Sequence, residues 1–130
     1  MKLIRVLLLS LLLLPFAAFA GRATEMDAPP VIDVPAHTSA EKVQSVIKHA
    51  LKDHDWVIDS SEGGQITARY SRSNYWVKIA VVHSGKTITI KYVDSKNLNY
   101  EKIDGKRYIH PSYNRRVRIL EKDIGKSLDR

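Results

Sequence analysis

Side chains able to do chemistry gather at three places in this 130-residue chain. The first is Asp94, Ser95, Asn97 and Leu98, followed a few residues later by His110, Tyr113 and Asn114. Carboxylate, hydroxyl, imidazole and phenol groups can move protons when they converge. They can also bind a polar ligand, or pin a loop whose buried backbone needs hydrogen-bond partners. Ser95 has no Gly-x-Ser-x-Gly context. Asp94 is the only carboxylate between Gly64 and Tyr100, so the strands do not offer the two facing carboxylates of a glycosidase. His110 precedes Pro111, where it can cap a helix or act as a proton-transfer group beside Tyr113.

The second place is basic. Arg115, Arg118 and Lys122 fall at i, i+3 and i+7 and so share one helix face, with Arg116 and Lys126 nearby and Lys102, Lys106 and Arg107 just before. Guanidinium forks match phosphate and carboxylate oxygens; a solvated face is the alternative. Arg115 and Arg116 near a helix N-terminus oppose its dipole, which requires an offset from packing or from Glu121 and Asp123. The third place is Trp76 with Ala80 and Val82, flanked by Arg69 and Lys91. That is an amphipathic patch suited to a partner surface or a homodimer, unless the segment from Pro29 to Pro35 folds over it. His49 and His54 are five apart and do not share a helical face; no metal or cofactor motif is present.

The elements that must position these groups follow from periodicity. Thr38-Ser39-Ala40-Glu41 matches a capping box with Thr38 as the cap. Val43, Val46, Ile47, Ala50 and Leu51 then form one apolar stripe, and Asp53-His54-Asp55 ends the helix. A strand is expected around Trp56-Val57-Ile58. Alternation predicts further strands through Ile66, Ala68 and Tyr70, through Tyr75, Val77, Ile79 and Val81, and through Ile88, Ile90 and Tyr92. Residues 94 to 110 read as a long polar connection with a turn at Gly105. Pro111 opens a second helix with its stripe at Tyr113, Val117, Leu120, Ile124 and Leu128. The expected fold is α+β: an antiparallel meander of three or four strands, with an N-terminal and a C-terminal helix packed on one face. It comprises a single domain over 38–130, preceded by an extended linker over 21–37 in which Val31, Ile32 and Val34 can still pair as a short edge strand or lie over the core.

The start of the chain supplies an address. Lys2 and Arg5 precede an apolar run from Leu7 to Leu14, then Pro15 and Ala18-Phe19-Ala20 ahead of Gly21. This is the layout of a secretory signal peptide over 1–20, since the run is shorter than the roughly 20 residues that span a membrane. The expected product is periplasmic and unanchored, because Gly21 stands where a lipoprotein carries cysteine and the chain has no cysteine at all. The net charge of +7 is uneven. Residues 21–63 hold four basic and eight acidic side chains, 64–100 six basic and one acidic, and 101–130 nine basic and five acidic. Export sets nucleic acid aside as a target and points a basic surface toward anionic lipid, polysaccharide or an acidic protein.

Several stretches carry a resemblance. Ser39 to Leu51 with Trp56, Gly64-Gln65-Ile66-Thr67-Ala68, Tyr92-Val93-Asp94-Ser95-Lys96-Asn97-Leu98, and Ile109-His110-Pro111-Ser112-Tyr113-Asn114 with Leu120 resemble a family of small envelope proteins and lipoprotein-like chains of Gram-negative bacteria. The likeness covers about Thr38 to Leu128. Its most specific parts are the Ser-x-Asn-Leu and Ile-His-x-x-Tyr-Asn stretches. The family implies no activity and so no catalytic residue. This chain departs from it in lacking the lipoprotein cysteine and in placing Arg116 where the family has an aromatic. The functional expectation is a non-enzymatic periplasmic binding or interaction module that meets an envelope protein or an anionic envelope component. The alternative is a small hydrolase or ligand-sensing domain with a polar site near His110, Tyr113 and Asp94.

Overall fold

A computed structural model describes residues 23–130, and the signal-peptide expectation lies outside them. Two helices and two antiparallel sheets build an α+β fold. In chain order the elements are β1 (Thr24–Glu25), β2 (Val31–Asp33), α1 (Ala40–Asp53), β3 (Val57–Glu62), β4 (Gln65–Arg72), β5 (Tyr75–His83), β6 (Thr87–Lys96), β7 (Glu101–Ile103), β8 (Lys106–Ile109) and α2 (Pro111–Leu128). The larger sheet has the order β2-β6-β5-β4-β3 and the smaller β1-β8-β7.

The large sheet is apolar on one face. Ile66, Ala68 and Tyr70 of β4, Val77, Ile79 and Val81 of β5, and Ile88 and Ile90 of β6 are all buried. They form one core with Val43, Ile47 and Leu51 of α1 and Val117, Leu120 and Ile124 of α2. Strand alternation and the helical stripe thus meet at one layer boundary. The opposite face carries Trp76, Lys78 and Lys91 and remains part-exposed, as the outer side of an antiparallel sheet commonly does.

Helix ends follow local chemistry, with one correction. Ser39, not Thr38, is the N-cap: its hydroxyl accepts from Lys42 N–H at 3.1 Å. The Thr38 hydroxyl donates to Pro35 C=O instead. The helix closes with Asp55 in the left-handed region (φ 67°), Asp55 N–H on Lys52 C=O and Trp56 N–H on Leu51 C=O. This Schellman pattern drops Trp56 into the core. At the β4 start, Gly64 has φ +76°, and a Cβ there would meet His83 C=O at 3.0 Å, so the tight approach to β5 requires glycine.

The strand count exceeds the expected three or four, for two reasons. Residues 21–37 do not behave as a linker where described: β1 pairs with β8 and β2 with β6, while Met26 and Ile32 enter the core. Pro29 and Pro30 line a small gap with Ile90, Tyr113 and Val117, so this segment closes the helix side and does not cover Trp76. The second reason lies at 94–110. β6 runs on to Lys96, and β7 and β8 form a hairpin about Asp104 and Gly105, both at positive φ. Strands of two to four residues are too short to display a period, and their pairing depends on what lies beside them.

One loop residue ties the two sheets together. Asn97 and Asn99 both adopt left-handed backbone (φ 60° and 56°), a conformation asparagine tolerates. Between them Leu98 is turned into the core at 4% exposure, and its carbonyl accepts from His110 N–H at 2.8 Å. Leu98→Ala is expected to cost about 2–5 kcal/mol through the cavity left behind, read as a lowered urea midpoint at unchanged slope.

Candidate functional site

An open cleft of about 530 Å³ lies at the end of β6, lined chiefly by Tyr92, Asp94, Ser95, Asn97, Tyr100 and Arg107. A β-bulge creates it. Ile79 pairs with Tyr92 and Lys78 with Asp94, leaving Val93 as the extra residue. The bulge resets the alternation, so Tyr92 and Ser95, three apart, share a sheet face. Their hydroxyls lie 2.7 Å apart. Asp94 Oδ1 accepts from Ser95 N–H at 2.8 Å, and Asn97 Nδ2 donates to Asn74 C=O at 2.6 Å, fixing the loop against the β4–β5 turn.

The aromatic wall is ordered by stacking. Tyr92 and Tyr100 are nearly parallel (14°) with centroids 4.5 Å apart, and Tyr113 meets Tyr92 edge-on at 5.8 Å. Burial pushes the Tyr92 phenol above its ordinary value; the Ser95 hydrogen bond opposes the shift and the Asp94 charge adds to it. Arg107 forms the other side. It is partly exposed, and among the described residues its guanidinium makes neither a side-chain hydrogen bond nor an ion pair. An unpaired arginine on a cleft wall is poised for an anionic or strongly accepting ligand.

The expected site residues divide into separate groups. Asp94, Ser95 and Asn97 line the cleft. His110 does not: it is the N-cap of α2, its Nδ1 accepting from Ser112 N–H at 3.1 Å and lying 2.9 Å from the Ser112 hydroxyl. Tyr113 is buried, and desolvation raises its phenol far above the ordinary range. The lining of the cleft beside Asp94 includes neither His110 nor Tyr113 among the described residues. Asn114 is a pin for the N-terminal segment. Its Oδ1 accepts from Asp27 N–H and its Nδ2 donates to Glu25 C=O, both at 3.0 Å.

The basic helix is divided as well. Arg118 forms a forked contact with Asp27, Nε to Oδ2 at 2.8 Å and Nη2 to Oδ1 at 3.0 Å. Arg116 packs inward, its guanidinium 3.9 Å above the Tyr70 ring and its Nη2 donating to Tyr75 Oη at 3.2 Å. Those contacts supply the packing offset for a cation near the helix N-terminus. Arg115 and Lys122 remain exposed. On the outer sheet face, Trp76 carries the Arg69 guanidinium at 4.2 Å from its centroid. His54 contacts Asp123 at 3.0 Å, bridging the two helices.

Sequence reasoning missed Tyr92, Tyr100 and Arg107 as partners of Asp94, Ser95 and Asn97. Tyr92 reads as an ordinary inward strand residue and Arg107 as one more loop charge. Only the paired asparagines around Leu98 hint that the loop turns sharply there. No family model matches the chain, and neither a curated protein nor a solved structure shows detectable similarity to it.

Two measurements test these assignments. Asn114→Ala strands two part-buried backbone groups and is expected to cost about 2 kcal/mol in chemical denaturation. Arg118→Gln, at an ion pair whose arginine is 62% exposed, is expected to change stability by about 1 kcal/mol or less. Separately, Tyr113 stays protonated in the folded state above the pH where unfolded tyrosine ionises. Its contribution to stability is therefore present below about pH 10 and lost as pH rises. In an alkaline absorbance titration, Tyr113→Phe should remove the last tyrosine to ionise and lessen alkaline unfolding.

Proposed function

We propose that this chain is a non-enzymatic binding module of the Gram-negative envelope, exported to the periplasm, that captures an anionic component in the cleft beside β6. The observation that carries the reading is Arg107: a partly exposed guanidinium on the wall of an open polar cleft, without a carboxylate partner among the described residues. The signal-peptide pattern and the resemblance to envelope proteins supply the setting. The cleft is favoured over the α2 face because Arg118 is already engaged by Asp27 and Arg116 by Tyr70 and Tyr75. It is favoured over the Trp76 patch because Arg69 already covers that ring. Binding without turnover fits a cleft whose Asp94 holds a backbone N–H while His110, outside its lining, caps α2.

The test is an amide-resolved NMR titration of the full chain with acetate at low ionic strength. Shifts are expected to cluster in Tyr92–Tyr100 and around Arg107, to weaken as salt is added, and to vanish in Arg107→Gln. Shifts centred on Arg115 and Lys122, or none at all, would overturn the reading.

A further inference from the structure

Resting on the anion-binding reading of the cleft, we infer that its ligand is an acidic sugar of the hexuronate type, held by one carboxylate and one stacked ring. The inference starts from Tyr100. Its ring lies against Tyr92 on one side only, is 39% exposed, and lines the cleft, so its other face is a flat platform beside polar groups. The face of an aromatic ring is electron-rich and suits the C–H-bearing face of a pyranose. Around this platform stand groups with the hydrogen-bonding capacity that ring hydroxyls need. Asp94 Oδ2 makes no hydrogen bond among the described residues, and only the Nδ2 of Asn97 is used. Asn99 also lines the cleft, and its side chain has no hydrogen bond among the described residues. Side-chain amides both donate and accept, as sugar hydroxyls do.

Charge then selects within the class. Among the described residues Arg107 is the one cation on the cleft wall, and its fork matches a single carboxylate. Asp94 also lines the cleft and repels a second negative charge, which disfavours phosphate dianions and polyanions. The cleft volume, about 530 Å³, lies within the range of small-molecule sites.

The experiment compares glucuronate, glucose, acetate and inorganic phosphate by NMR titration of the full chain and of Tyr100→Ala. Tyr100 is surface-lying, and retained amide dispersion confirms that the variant folds. Glucuronate is expected to bind at least about tenfold more tightly than the other three. Tyr100→Ala should bring glucuronate down to the acetate level, so that the preference for glucuronate over acetate is lost. Equal affinity for acetate and glucuronate would overturn the sugar assignment and leave the anion cleft standing. Phosphate binding tighter than glucuronate, or glucose binding as well as glucuronate, would also overturn it. Absence of any anion from the cleft would overturn both readings.

Discussion

A five-stranded sheet that is apolar on one face must have that face covered, and the rest of this molecule is arranged around that cover. Two amphipathic helices supply most of it, through Ile47 and Leu51 of α1 and Leu120 and Ile124 of α2, all without solvent exposure. Burial of such side chains contributes about 1.5–3 kcal/mol each, so the layer boundary outweighs any surface contact in the chain. The helices leave the β6 edge open on the α2 side. The N-terminal segment closes it, with Ile32 paired to Ile88 and Met26 N–H on Arg107 C=O. Asn114 and the Arg118–Asp27 fork then hold that segment to α2. The most polar features of the second helix thereby serve the core.

At the other end of β6, one extra residue changes what the strand presents. Without the bulge at Val93, Ser95 would fall on the face opposite Tyr92. With it, the two hydroxyls meet at 2.7 Å, and the strand bends toward the β7–β8 hairpin. The hairpin brings Tyr100 and Arg107 to the same opening, and buried Leu98 anchors the connection. A cleft built this way has a stacked aromatic wall and, among the described residues, a cation without a side-chain partner.

The arginines illustrate how context assigns a charge its role. Arg118 is a strap contact, Arg116 lies between aromatic rings with its Nε buried and unpartnered, Arg69 covers Trp76, and Arg107 faces the cleft. In the chain all four look alike, as long cationic side chains in polar stretches. Aromatic neighbours take two of them, a carboxylate takes one, and Arg107 has no side-chain partner among the described residues.

The chain by itself determined the α+β class, both helices, the three central strands and the core residues that those elements contribute. Those elements span several turns or several alternations, so a local repeat of 3.6 or 2 is visible before any tertiary contact exists. It also singled out Asp94, Ser95 and Asn97. Only the tertiary structure decided that 24–25, 31–33, 101–103 and 106–109 are strands, that Ser39 is the cap of α1, that His110 caps α2, and that Asn114 holds the N-terminal segment. It alone placed Tyr92, Tyr100 and Arg107 with the residues of the 94–97 stretch. The physical reason is the same in each case. Short strands, bulges and hydrogen-bond pins take their stability from partners distant in the chain, and a one-residue register change redirects a side chain without altering its local pattern.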